Sequence, residues 1–322
     1  MRIDVFNGDA DGLCALLQLR LAEPAESQLI TGVKRDIELL AKVTAQAGDE
    51  VTVLDISLAK NRSALKCLLQ QGAKVFYVDH HQAGEIPQHS QLKTIIDTDP
   101  NTCTSLLVDD YLHGQYRAWA VTAAFGDNLC DIARQAARCL SLTESQLERL
   151  QQLGVCLNYN GYGSCLADLH FAPDVLYREC AAYISPFDFM ADKPHIYQQL
   201  IAAYHDDMAR ALAINTEYQS ASVAVYILPD MAWARRVSGV LSNELANQSP
   251  DRAHAVLNYN GLGGYQISVR APLHNKIGAD ELCSAFTTGG GRKSAAGINH
   301  LPLDQLSTFI NAFAHYYDFK KH

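Results

Sequence analysis

Lys74-Val75-Phe76-Tyr77-Val78-Asp79-His80-His81 is the stretch on which the fold turns: an apolar run of β-branched and aromatic residues that stops on an acid and two imidazoles. The same grammar recurs around it. Residues 2–6 run into Asp9, residues 51–54 end at Asp55, and residues 92–96 end at Asp97. Between the runs, residues 12–22 carry Leu13, Leu16, Leu17 and Leu21 at helical spacing, residues 61–71 carry Leu65, Leu68 and Leu69 ahead of Gly72, and residues 101–112 form a third helical pattern. Short strands alternating with helices predict an α/β fold with a parallel sheet.

Moving outward, residues 140–215 lose the strand signal and read as helical. Residues 221–227, 253–258 and 265–269 are strand-like again, 261–264 is a turn, and 279–286 is a short helix ahead of Gly289-Gly290-Gly291. A chain of 322 residues suits two domains. The expected division is a catalytic domain over 1–190, a helical connector over 191–215 and a smaller α/β domain over 216–322. Leu-Asn-Tyr-Asn occurs at Leu157 and at Leu257, and with no flanking similarity it reads as coincidence.

The net charge of −9 disfavours a protein that coats long duplex nucleic acid, while leaving small phosphorylated substrates open. No apolar stretch approaches the roughly 20 residues that span a bilayer, and residues 1–6 lack a signal-peptide pattern, so no membrane partner is expected and the cytoplasm is the expected location. Nine cysteines without a C-x-x-C pair argue against a cysteine zinc site, and Cys14, Cys67, Cys130 and Cys139 read as reduced core residues.

In open α/β sheets ligands bind beyond the carboxyl ends of the strands, so acids recurring there converge. Asp9 and Asp11, from a turn that Gly8 and Gly12 let bend, join Asp55, Asp79, His80 and His81. One such Asp alone reads as a helix cap. Together they form a carboxylate and imidazole set that calls for a divalent cation, with Mn²⁺ favoured and Mg²⁺ or Co²⁺ as alternatives.

Asn7-Gly8-Asp9-Ala10-Asp11-Gly12, Asp55-Ile56-Ser57, Asp79-His80-His81 and Ala124-Phe125-Gly126-Asp127, taken in order, resemble the four motifs of the DHH phosphoesterase superfamily. Gly289-Gly290-Gly291-Arg292-Lys293-Ser294-Ala295-Ala296-Gly297 and Ser268-Val269-Arg270 resemble parts of the DHH-associated C-terminal domain. The resemblance implies two manganese ions, with Asp9 and Asp11 binding one each, Asp55 bridging, and His80 and Asp127 completing the coordination of the second ion. It also implies that Asp79 orients the histidines and that His81 contacts a substrate phosphate or donates a proton. Many relatives carry a histidine in the region of Asn7. Arg270, Gly289, Gly290, Gly291, Arg292 and Lys293 would bind the substrate, although relatives usually have histidine where Arg292 stands.

The expected reaction is hydrolysis of a phosphodiester in a short nucleotide (a dinucleotide, a short oligoribonucleotide or a cyclic dinucleotide) by a metal-activated water in an interdomain cleft. A phosphomonoesterase, a pyrophosphate or polyphosphate hydrolase, and an inactive nucleotide sensor are the alternatives. Monomer and homodimer are equally open.

Overall fold

The computed structural model describes residues 1–319, which fall into two compact units, the first Met1–Ala202 and the second starting at Ala203. The first unit is built on β1 (Arg2–Phe6), α1 (Ala10–Ala22), β2 (Gln28–Ile30), β3 (Glu50–Leu54), α2 (Leu58–Gln70), β4 (Lys74–Asp79) and β5 (Leu92–Ile96). Six helices follow: α3 (Thr104–Tyr111), α4 (Arg117–Gly126), α5 (Cys130–Ala137), α6 (Glu144–Gly161), α7 (Pro173–Cys180) and α8 (Pro186–Asp192). The division between the units falls within α9 (Pro194–Leu212).

The five strands pair in the order β2-β1-β3-β4-β5, all parallel. Strand periodicity divides each run between two faces. Ile3, Val5, Val51, Val53, Val75 and Tyr77 pack with Leu58, Leu65, Leu68 and Leu69 of α2 in one core cluster. The opposite face carries Asp4 and Thr52, both buried, and Arg20 of α1 reaches them: Nε donates to Asp4 Oδ2 at 2.8 Å and Nη2 to Thr52 Oγ1 at 3.2 Å. α1 is buried on every side from Ala10 to Leu19, which makes it a central helix rather than an amphipathic cover.

The second unit contains β6 (Tyr218–Gln219), β7 (Val223–Leu228), α10 (Ala232–Gln248), β8 (Ala253–Asn260), β9 (Gly264–Arg270), α11 (Ala279–Ser284), β10 (Gly289–Gly291), β11 (Ala295–Pro302) and α12 (Leu306–Phe319). Its six-stranded sheet runs β10-β11-β9-β8-β7-β6; only β7 and β8 are parallel. Val225, Leu257, Ile267 and Ile298 pack against Phe309 and Phe313 of α12.

Several local expectations change. α3 starts at Thr104 rather than residue 101, and the glycine run is an edge strand paired with Ala296–Ile298 through Gly289↔Ile298 and Gly291↔Ala296. The two Leu-Asn-Tyr-Asn copies lie in a helix, α6, and in a strand, β8, so they are unrelated. Cys14 is buried, but Cys67 and Cys139 are exposed and Cys130 is half-buried; Cys67 lies off the stripe of Asn61, Leu65, Leu68 and Leu69 that α2 buries. All nine cysteines are free thiols. Among the described residues no helix is long and apolar enough to cross a membrane.

Candidate metal centre

The registers Phe6↔Leu54, Leu54↔Val78 and Asp79↔Ile96 align the carboxyl ends of β1, β3, β4 and β5. Because β2 and β3 flank β1 on opposite sides, the strand order reverses at β1, the position where open α/β sheets place their ligand crevice. Residues 7–12 follow there. Gly8 and Gly12 have no positive φ, so they do not serve as a flexible bend. They permit close approach instead: a Cβ on Gly8 would fall 1.9 Å from the Gly32 carbonyl oxygen, and one on Gly12 would fall 2.3 Å from that of Asn7.

Asp9 caps α1, its Oδ1 accepting from the N–H groups of Asp11 at 3.0 Å and Gly12 at 3.1 Å. Asp11, in the first turn of α1, accepts from the N–H groups of Thr104 at 2.8 Å and Ser105 at 2.7 Å, where α3 begins. A helix N-terminus is suited to a buried carboxylate. Asp55 follows β3 with φ 59°, a left-handed conformation unusual for an aspartate, and accepts from Thr104 Oγ1 at 3.3 Å. Asp127 is the C-cap of α4, brought in from the helical layer rather than from a strand.

His80 is the hub. Its Nδ1 lies 3.0 Å from the Thr102 carbonyl oxygen, which can only accept, so Nδ1 carries a proton and Nε2 is the nitrogen turned toward the acids. Nε2 is 3.3 Å from Asp55 Oδ1, 3.7 Å from Asp11 Oδ2 and 3.8 Å from Asp127 Oδ2. His81 packs edge-on against His80 and donates Nδ1–H to Asp79 Oδ1 at 2.7 Å. Asp79 is fully buried and the His81 side chain is 35% exposed, which leaves the His81 ring open to a small molecule.

Burial, followed by the nearby Asp55 charge, pushes the Asp11 carboxyl well above its ordinary range; burial and Asp9 do the same to Asp55. Asp79 moves the other way, since the charge and hydrogen bond of His81 outweigh the upward push of burial. Two groups of potential ligand atoms lie within 4.8 Å of one another: Asp11, His80 and Asp127, and Asp55, His80 and His81. Ligands about 2.1 Å from a common ion stand at most roughly 4.2 Å apart, and the distances of Asp11 and Asp127 to His80 Nε2 fall inside that limit, while Asp55, at 3.3 Å from the same nitrogen, groups instead with His80 and His81. Carboxylates whose mutual repulsion needs a counter-charge, and an imidazole with its Nε2 turned toward them, are the donor chemistry such an ion requires. Asp9 belongs to neither group.

Sequence reasoning missed Lys34. It follows β2, a three-residue strand too short to stand out, in Thr31-Gly32-Val33-Lys34. Its Nζ donates to Asp9 Oδ2 and to Asn158 Oδ1 of α6 at 3.0 Å, and approaches Asp127 Oδ1 at 3.4 Å; Tyr162 lies beneath it with the ring centroid 5.4 Å away. Burial alone would lower its pKa, but Asp9, then Tyr162 and Asp127, raise it well above the ordinary value. Asn158 sits in the first Leu-Asn-Tyr-Asn copy, and neither its spacing nor its neighbours mark it in the sequence.

In the second unit Arg270 Nε donates to Asn243 Oδ1 at 2.7 Å. Arg292 and Ala295 exchange backbone hydrogen bonds that close the β10–β11 hairpin, and Lys293 is exposed. Two of the three glycines are required by packing. A Cβ on Gly289 would meet the Cys283 carbonyl oxygen at 1.7 Å, and Gly291 has φ 149° with Ala296 Cα 2.4 Å from any added Cβ.

No family model matches this chain, and no curated protein does. Solved structures match over nearly its whole length. A DHH-domain protein described as a member of a family of ribosomal proteins aligns over 98% of this chain and 86% of its own at 14% identity, with a TM-score of 0.68. A RecJ exonuclease bound to manganese aligns over 99% and 90% at 16% identity, with a TM-score of 0.63. A pGpG-specific phosphodiesterase, PggH, from Vibrio cholerae aligns over 98% of both chains at 12% identity, with a TM-score of 0.56. In both of its units, this chain shares the fold of these DHH-domain, RecJ and PggH structures.

Proposed function

We propose that this chain is a cytoplasmic metal-dependent phosphodiesterase acting on short nucleotides: dinucleotides, short oligoribonucleotides or cyclic dinucleotides. The observation that carries the reading is the gathering of Asp11, Asp55 and Asp127 within 3.8 Å of His80 Nε2, on a ring whose other nitrogen is tied to the Thr102 carbonyl. Manganese is the ion proposed, with magnesium or cobalt as substitutes; when bound it would polarise a phosphoryl oxygen and lower the pKa of a water. Asp11, Asp55, His80 and Asp127 would hold it. The second ion implied by the motif resemblance would have to share the Asp9 side of the site with Lys34.

His81, oriented by Asp79, offers an exposed ring edge to a phosphate oxygen or leaving group and is the proposed proton donor. Arg270, Arg292, Lys293 and the strand Gly289–Gly291 are the proposed substrate-binding group, supplying charge for a phosphate. Similarity to the RecJ exonuclease and to PggH supports the reaction class, and the acidic balance of −9 supports short substrates over long strands.

Purified protein incubated with Mn²⁺ and pApA, pGpG, cyclic dinucleotides, a longer RNA and pyrophosphate tests the reading. Turnover of the dinucleotides ahead of the long RNA and pyrophosphate is expected. No turnover of any member would favour a nucleotide sensor, and turnover of pyrophosphate alone would favour the phosphoanhydride alternative.

A further inference from the structure

We infer that the ammonium of Lys34 takes the place of one divalent ion, so that the centre holds a single ion beside a built-in cation. The inference rests on the metal-dependent reading above and deepens it. Both oxygens of Asp9 are already engaged: Oδ1 accepts the Asp11 and Gly12 N–H groups that start α1, and Oδ2 accepts from Lys34. Lys34 also draws on Asn158 Oδ1 at 3.0 Å and Asp127 Oδ1 at 3.4 Å. The acceptors that would ligate an ion on this side therefore already surround a cation.

Lys34 is held by more than attraction to the acids. Its backbone N–H donates to the Gly161 carbonyl at 2.7 Å and its carbonyl accepts from Asn7 Nδ2 at 3.2 Å, which fixes the base of the side chain between the first motif and the end of α6. Gly161 permits this contact, since a Cβ there would stand 2.9 Å from Asp9 Cα. A second ion placed on Asp9 would lie about 4 Å from the ammonium, and repulsion between a divalent ion and a unit charge at that range in a partly shielded site costs the ion about a millionfold in affinity. The remaining donor on this side, the buried Asn7 Oδ1, is one neutral oxygen against the six that Mg²⁺ and similar ions take. Asp11, Asp127 and His80 form their own ligand group without Asp9.

Equilibrium dialysis against Mn²⁺ with metal analysis, paired with electron paramagnetic resonance of the same samples, reads this directly. Wild type should saturate at about one ion per chain with the spectrum of an isolated Mn²⁺, and Lys34→Gln should take up a second ion and show spin coupling. Two ions in wild type would overturn the inference while leaving the metal-dependent reading intact. One ion in both proteins would show that Lys34 is not what excludes the second and would overturn it as well. No ion in wild type would overturn the metal-dependent reading itself. The wild-type count stands even if Lys34→Gln fails to fold.

Discussion

The bond between Asp79 and His81 gives the sharpest quantitative expectation, because the two side chains act as one unit. Asp79 is fully buried, its Oδ1 accepts from His81 Nδ1 at 2.7 Å, and His81 holds its carboxyl below the ordinary aspartate range against the upward push of burial, so the acid stays ionised where a free aspartate would begin to protonate. Asp79→Asn keeps the shape and removes the charge. A hydrogen bond to a charged group is worth about 1.5–3 kcal/mol, and at 1.36 kcal/mol per decade its loss lowers kcat about ten- to a hundredfold. The assay is a double-mutant cycle on a dinucleotide with Asp79→Asn, His81→Ala and the pair, with Mn²⁺ content and melting temperature followed in parallel. If Asp79 acts through His81, the double variant is no slower than His81→Ala, and the coupling equals the Asp79→Asn loss. Additive losses, or an Asp79→Asn enzyme slowed only in proportion to lost metal, would refute the reasoning.

His80→Ala and Asp55→Ala should each lower Mn²⁺-dependent hydrolysis about a thousandfold or more while far-ultraviolet circular dichroism stays unchanged; near-normal rates in either would remove that residue from the ligand set. Gly8→Ala should cost about 1–3 kcal/mol of stability and weaken Mn²⁺ binding, because its Cβ would fall 1.9 Å from the Gly32 carbonyl; an unchanged melting curve and titration would contradict the close-approach role. Burial holds the His254 imidazole, 1% exposed, down to about 4, so its contribution is full above about pH 6.5 and is lost as the pH falls toward 4. That is about 3 kcal/mol, measurable as pH-dependent denaturant unfolding, and His254→Phe should flatten the slope; an unaltered slope would contradict it.

Much of the first sheet was legible because β1, β3, β4 and β5 are short segments rich in β-branched and apolar residues that each run into a polar residue at the carboxyl end. β2 was not: Gln28-Leu29-Ile30 is three residues long and at most half-buried, so it has neither length nor alternation to separate it from a loop. Missing it hid Lys34 at its carboxyl end. Asp97 shows the opposite case, an acid at a strand end that is exposed and accepts the Asp99 N–H with Oδ1 rather than joining the site. Asp127 arrives from the end of α4, and no periodicity places it near Asp11; only the motif resemblance pointed to it. The glycine run at 289–291 conceals its strand because glycine has little strand preference, and its pairing is set by β11. The exposure of Cys67 follows from where it falls on α2, which composition does not reveal.

In the proposed centre Asp11, Asp55, His80 and Asp127, distant in the chain, would surround one divalent cation. Crystals grown with manganese and measured at its absorption edge test it most directly. An anomalous peak about 2.2 Å from His80 Nε2 and from carboxylate oxygens of Asp11, Asp55 and Asp127 is the predicted result. A peak bound elsewhere, with these four side chains turned away from one another, would contradict it.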